Sequence, residues 1–341
     1  MKTAVIYAGS MAANHRAARR LHPSYQSLER RNASVASLAE AAVARWGRSS
    51  ASPFLVGADR TMIRLGAGAA GYVRQGRWAV FATDVAAPAG AGAGADALDE
   101  LLDVLARDRL RPVFACVTDD EPYRDRGMHA IAIADDAVID LGSFTLSGAR
   151  RAGVRHSVNA ARRAGIVVAP FCADFADGAV AVSAAWLATK RGGEMGFTLG
   201  RFDPDLLGRA DCRVAVDAEG RVVGLVSWHR YDAGRARVLD LMRRAPDAPN
   251  ATMDALIAES LIDFAAAGVE RASLASVPKT RGRVAERIYP TTSLRRYKDK
   301  FAPVWEQRWL VVPSRRQLPG GLSAVTRSYC PRGLVAGLRH N

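Results

Sequence analysis

Cysteine is scarce: four in 341 residues, at positions 116, 172, 212 and 330, each standing singly with no CxxC pair and no histidine cluster nearby. That spacing argues against a disulfide framework and against a zinc site, so the thiols read as reduced and structural. Long apolar runs are missing too. Nothing approaches the roughly 18 to 20 residues that a membrane span requires, and the opening MKTAVIYAGSMAANHRAARR lacks a long apolar core of the secretory kind. The expected location is the cytoplasm, with peripheral contact at the inner membrane face compatible with the charge. Acidic residues are outnumbered, 34 Asp and Glu against 48 Lys and Arg, for a formal net charge of +14 and a pI near 10.3. A field of that sign attracts polyanions, either nucleic acid or an anionic lipid surface. The alternative is a solvated basic surface written by an Arg- and Ala-rich composition.

What is present is a globular chain. Its 49% hydrophobic content supports real cores, and its length suits two domains of ordinary size. Residues 1–27 are polar and unperiodic and read as a flexible arm. A helical stripe covers 28–46, a β-meander follows at 61–65, 70–73 and 77–82, and a Gly/Ala-rich loop precedes a helix from Leu98 to Arg109 and a buried strand from Pro112 to Val117. Met128–Ile133 and Ala137–Leu141 read as a strand pair with Asp135-Asp136 at the turn. Residues 149–165 form a basic helix carrying Arg151, Arg155, Arg162 and Arg163, suited either to a phosphate backbone or to a solvated linker. The second half repeats the order helix, antiparallel strands, helix, strand, which suggests a tandem duplication. The expected domains are 28–143 and 144–317, followed by a basic tail at 318–341.

The richest stretch is 222–264: strand, the hairpin Tyr231-Asp232-Ala233-Gly234, a second strand, a loop holding Pro246 and Pro249, then an amphipathic helix with Met253, Leu256, Ile257, Leu261 and Phe264 on one face. Period-two alternation puts Val238, Asp240 and Met242 on one face of the second strand and Leu239 and Leu241 on the other. A carboxylate among apolar neighbours needs a partner, and Arg243 and Arg244 are nearest in sequence. This order is that of the second half of an acyl-CoA N-acyltransferase-like (GNAT) domain, giving an α/β (α+β) fold of mixed, mostly antiparallel sheets flanked by helices. Such domains seat a cofactor pyrophosphate on a glycine-rich turn at the helix N-terminus. Residues 243–252 contain no glycine, two prolines and Asp247, so coenzyme A is not expected.

Several stretches occurring in order carry a family resemblance: Gly71-Tyr72, AVIDLGSFTLSGARRAGVRHSVNAARRAG, KRGGEMGFTLGRFDP, VVGLVSW followed by LDLMRRAPDAPNATMDALI, and SLRRYKDKFAPVWEQRWL. From about Phe54 to Pro313 the chain resembles the catalytic domain of the bacterial aminoacyl-phosphatidylglycerol synthases. The resemblance implies a tandem GNAT-like fold that moves an aminoacyl group from a charged tRNA to the glycerol hydroxyl of phosphatidylglycerol, without metal or soluble cofactor. It carries the family's functional positions onto Asp240 and Arg243, onto Glu194, and onto Lys300, Phe301 and Arg308. The family's membrane-spanning lipid-flipping module is not within the 341 residues, ASVPKT replaces the usual Gly-x-Ala-Pro-Leu, and YPTTSLR departs from the family form. These departures bear on the acceptor more than on the donor, and a small hydroxyl, amine or hydroxylamine acceptor is the alternative. A tRNA-binding protein without activity is a third reading.

Exchange of one ester for another needs positioning, proton transfer and oxyanion stabilisation and no strong nucleophile. Asp240 is expected either to accept the hydroxyl proton or to hold the donor's ammonium group, with Arg243 setting its charge state. A fold-stabilising Asp240–Arg243 ion pair is the plainer alternative. Lys300 would stabilise the oxyanion or bind phosphate, while Arg296, Lys298 and Arg308 would bind acidic groups of tRNA or lipid.

Overall fold

The structure, a computed structural model, describes residues 5–7, 37–89, 92–190, 194–208, 210–279 and 291–329. Apart from β1 (Val5–Tyr7), the expected arm at 1–27 lies outside the described residues, as does the tail beyond 329. Along the chain follow α1 (37–46), β2 (Thr61–Arg64), β3 (Ala69–Gln75), β4 (Trp78–Phe81), α2 (Ala93–Arg107), β5 (Arg111–Val117), α3 (Glu121–Arg124) and β6 (His129–Asp140). Then come α4 (Ala152–Arg163), β7 (Val167–Pro170), α5 (Ala176–Ala188), α6 (Pro204–Leu207), β8 (Asp211–Val216), β9 (Val222–Tyr231), β10 (Ala236–Arg244), α7 (Thr252–Ala266) and β11 (Arg271–Pro278). The last are α8 (Thr291–Asp299), β12 (Val304–Val312) and α9 (Leu318–Tyr329). The expected class holds: α/β, with mostly antiparallel strand pairs and flanking helices.

The chain divides into two compact units. The first comprises Met1–Ile131, Tyr231–Ala233 and Trp309–Ser328. Its strands run in the order β1, β2, β3, β4, β5 and the C-terminal half of β12, all antiparallel except β4 with β5. Phe81 stacks on Phe114 at 4.8 Å, and both are fully buried with Ile63, Leu101 and Leu105. The second unit comprises Ala132–Arg230, Gly234–Arg308 and Tyr329–Asn341. Its order is the N-terminal half of β12, then β6, β11, β10, β9, β8 and β7, with β10 and β11 parallel. Trp228 meets Phe264 edge-to-face at 5.3 Å beneath α7, whose Leu256, Ile257 and Leu261 are fully buried. Each unit thus holds one parallel pair bridged by a 15-residue helix, the repeated plan expected from the sequence.

Four expectations are corrected. Residues 129–140 form one continuous strand rather than a pair around Asp135-Asp136, because Asp136, 0% exposed, is held by Arg308 and Ser273 and needs no solvent-facing turn. The two compact units part at Ile131/Ala132, within that strand, where 143/144 was expected, and Trp309–Ser328 belongs to the first unit because β12 pairs with β5. Part of the expected basic tail is α9, whose glycines allow tight contact: a Cβ at Gly320 would lie 2.8 Å from the Trp78 ring. Finally, α2 begins at Ala93, inside the Gly/Ala segment read as loop; alanine favours helix wherever a buried face rewards it, here Ala97, Leu98 and Leu101.

Candidate active site

The parallel strands β10 and β11 share rungs at 236–238 with 271–273. Beyond them β11 shifts register against β6 between Ser273 and Ser276, and Ala275 takes a φ of 65°, a left-handed backbone unusual for alanine. Asp240 sits on β10 just past the shared rungs. Its side chain is 5% exposed, and both oxygens are engaged: Oδ1 accepts the Gly200 N–H at 2.6 Å and Oδ2 meets His229 Nε2 at 2.9 Å. Position 200 is glycine for a steric reason, since a Cβ there would stand 1.9 Å from Asp240 Oδ2. The stretch Glu194–Asp203 is thereby pinned to the strand. The expected alternation breaks here. Leu239 joins the core under α7 while Leu241 joins a separate cluster with Ala179 and Leu225, and the Leu241 N–H goes to Ser227 Oγ at 3.1 Å.

Arg243, expected as the partner of Asp240, is paired instead with Glu194: its Nη2 donates to Oε1 at 2.6 Å, and the same oxygen accepts the Phe202 N–H at 3.2 Å. Its guanidinium lies 3.6 Å over the Trp186 ring of α5. Burial lowers the Arg243 pKa, while the charges of Glu194 and then Asp240 pull it up, so Asp240 acts on Arg243 through space and not by a direct ion pair. Asp240, Arg243 and Glu194 therefore form one constellation, completed by His229, Gly200 and Trp186.

The other expected residues gather elsewhere in the same unit. Lys300 pairs with Asp254, a buried carboxylate in the first turn of α7, and lies 4.6 Å over the Tyr297 ring. Burial and the adjacent Asp254 charge push the Tyr297 phenol upward, so it stays neutral. Phe301 is fully buried against Tyr297 and serves as core. Lys298 is 5% exposed and donates to the carbonyls of Ala275 and Ser276 at 2.8 and 3.4 Å, bracing the irregular part of β11; burial lowers its pKa to about 8. Arg308 binds Asp136 at 2.8 Å and Glu306 at 3.0 Å, a buried network and not an open anion site. Arg296 is exposed on α8.

On α4, Val154, Val158 and Ala161 are the buried face. Arg151 donates to the carbonyls of Phe301 and Thr145, Arg155 to those of Leu146 and Gly148, and Arg162 pairs with Glu259. Of the four arginines expected to face RNA, two therefore hold the chain around the helix, Arg162 is paired while still 62% exposed, and Arg163 is exposed. His229, Asp136 and Asp254 were missed by sequence reasoning. A histidine on the sister strand of the hairpin was the available signal for the first; the other two reveal themselves only through partners far along the chain.

A buried carboxylate fixed where two parallel strands part, with a stacked arginine–glutamate pair on the same strand end, defines an α/β protein equipped for acid–base and electrostatic chemistry. Comparison places it further. Residues 40–312 match the family described as "Phosphatidylglycerol lysyltransferase, C-terminal". The phosphatidylglycerol lysyltransferase of Bacillus subtilis is 30% identical over 227 residues, which are 60% of this chain and 26% of that protein. The crystal structure of the C-terminal domain of a putative lysylphosphatidylglycerol synthetase from Agrobacterium fabrum superposes with a TM-score of 0.78 at 24% identity, covering 89% of this chain and 99% of that one. The structure of L-PGS from Bacillus licheniformis gives 0.73 at 25% identity, covering 87% and 97%. The chain belongs to the phosphatidylglycerol lysyltransferase C-terminal family. It spans about a quarter of the length of the curated relatives it matches.

Proposed function

We propose that the chain is an aminoacyltransferase that carries an aminoacyl group from a charged tRNA to the glycerol hydroxyl of phosphatidylglycerol. The observation that carries this reading is the family match over 40–312, which contains the whole Asp240–Arg243–Glu194 constellation. The acceptor hydroxyl attacks the aminoacyl carbonyl of the donor ester, the new ester bond forms, and the tRNA ribose hydroxyl leaves with a proton. Residues of the chain have to hold the donor's ammonium group, take the attacking hydroxyl's proton and stabilise the oxyanion. Asp240, fixed by Gly200, supplies negative charge for the ammonium and orients His229 for proton transfer. Arg243, stacked on Trp186, lies on the same strand end as the cation for developing negative charge.

The reading uses neither coenzyme A nor a metal. For coenzyme A its support is the loop from β10 to α7: the amides of Ala245, Ala248 and Thr252 are spent on the carbonyls of Val223, Ala245 and Pro249, and Pro246 and Pro249 have none to offer. The test is incubation of the purified chain with labelled aminoacyl-tRNA and phosphatidylglycerol vesicles, followed by lipid extraction. Label in the lipid phase is expected. Label only in water-soluble product would replace the lipid by a small acceptor, and no transfer from any aminoacyl-tRNA would remove the proposal.

A further inference from the structure

A cleft of about 450 Å³ opens between the end of β11 and α8, away from the contacts of Asp240. Lys279, Arg295 and Arg296 line it beside Asp135 and Asp299, with the exposed Pro278 as its apolar side. Its charges are unusually arranged. Lys279 Nζ and Arg295 Nη1 converge on the one carboxylate of Asp135, at 2.9 and 3.0 Å, while 37% and 42% of their side-chain surfaces stay exposed. Arg295 is further immobilised 4.0 Å over the Trp305 ring, which is itself tied by its indole N–H to Asp299 at 2.9 Å. Arg296 makes no ion pair or hydrogen bond with any described residue. Two cations therefore share the Asp135 carboxylate at the rim of a half-open cleft that Asp299 also lines, and the third, Arg296, has no described partner.

We propose that this cleft is the subsite for the phosphodiester of an anionic glycerolipid headgroup, with Lys279, Arg295 and Arg296 as its donors. The inference rests on the reading of the acceptor as phosphatidylglycerol and names where its phosphate is held. A braced guanidinium loses little side-chain freedom on binding, which suits phosphate recognition. Two features favour a lipid over an RNA backbone. Lys279 and Arg295 converge on one carboxylate, with Arg296 in the same lining, instead of forming a track along which successive phosphates could lie. Apolar surface adjoins the cleft at the exposed Pro278, and Val304, next in the chain to the Trp305 that carries Arg295, is 66% exposed, as suits the boundary of a bilayer.

The test uses the full chain with phosphatidylglycerol or phosphatidylcholine vesicles, and the single variants Arg296→Ala and Lys279→Ala. Arg296 is exposed and has no partner among the described residues, so its removal leaves the fold intact. Each variant is expected to weaken flotation with phosphatidylglycerol vesicles and to raise the acceptor KM by about tenfold, the loss of one charge-assisted hydrogen bond, with aminoacyl-tRNA affinity unchanged. Soluble glycerophosphoglycerol should compete, and inorganic phosphate at the same concentration should not. Unchanged vesicle binding and KM would overturn the assignment, as would equal competition by inorganic phosphate, or a loss of tRNA affinity with vesicle binding intact, which would mark the cleft as an RNA contact. If the wild type binds these vesicles through the cleft but makes no aminoacylated lipid, the reaction assignment fails and the cleft stands. Transfer with a wild-type KM in both variants gives the converse.

Discussion

Asp240 and Arg243 show how far residue identity alone leads. The sequence marks both as chemistry-bearing because a carboxylate stands among Val, Leu and Met on a strand that ends in Arg243-Arg244, and both side chains prove buried. Their partners were invisible, because each is supplied from elsewhere in the fold: Glu194 and Gly200 from an irregular stretch, and His229 from the neighbouring strand. Lys298 makes a second residue-scale case. Burial holds its ammonium at a pKa of about 8, below the 10.5 of free lysine, while the Asp136 charge pulls the other way. The unfolded chain therefore binds this proton more tightly than the folded one. The resulting penalty on folding is fully present below pH about 8 and is relieved as pH rises toward about 10.5. Lys298→Met abolishes that titration. In denaturant melts the stability of the wild type relative to Lys298→Met should rise from pH about 8 to about 10, and a difference that stays flat would show that the lysine does not titrate in this window.

Elements of strong periodicity were legible: the meander of β2 to β4, the β9–β10 hairpin, and α7 with its apolar face. Strand β6 was not. Two adjacent aspartates between apolar runs have the local chemistry of a turn, and only the tertiary partner of Asp136, Arg308 at 172 residues' separation, makes an unbroken strand the better solution. Asp136 is 0% and Arg308 5% exposed by side chain, so the pair is costly to break and cheaper to replace. Asp136→Ala should destabilise the protein by about 3 to 5 kcal/mol, toward the lower end because Glu306 still binds Arg308, and adding Arg308→Met should restore part of the loss. Urea midpoints measure both. A cost under about 1 kcal/mol for the single variant would contradict a buried, solvent-excluded pair. The helix α8 escaped notice for a related reason: its nine residues, TTSLRRYKD, carry basic side chains on several faces, with Lys298 buried, so no apolar stripe announces it.

For the whole molecule, composition predicted anionic partners before any contact was known, and the structure qualifies that. Much of the Arg complement is spent internally, on carbonyls around α4 and on ion pairs such as Arg243–Glu194 and Arg308–Asp136, leaving fewer cations for ligands than a net charge of +14 suggests. Enough remain exposed, Arg150, Arg163 and Arg296 among them, that tRNA affinity should still fall by more than about tenfold between 50 and 200 mM salt; a salt-independent affinity would mean that the nucleic acid is not held through its phosphates. The fold class was readable because the sequence repeats one plan twice, and the family because its motifs occur in order. The proposed phosphate cleft was not readable, since the residues around it acquire meaning only when Lys279 and Arg295 are seen on one carboxylate. The most direct measurement is aminoacyl transfer from labelled aminoacyl-tRNA into phosphatidylglycerol by the wild type and by Asp240→Ala, with the fold of each checked by its melting curve. The account predicts labelled lipid from the wild type and a loss of at least about a hundredfold in the variant; a folded Asp240→Ala protein with full transfer would contradict it.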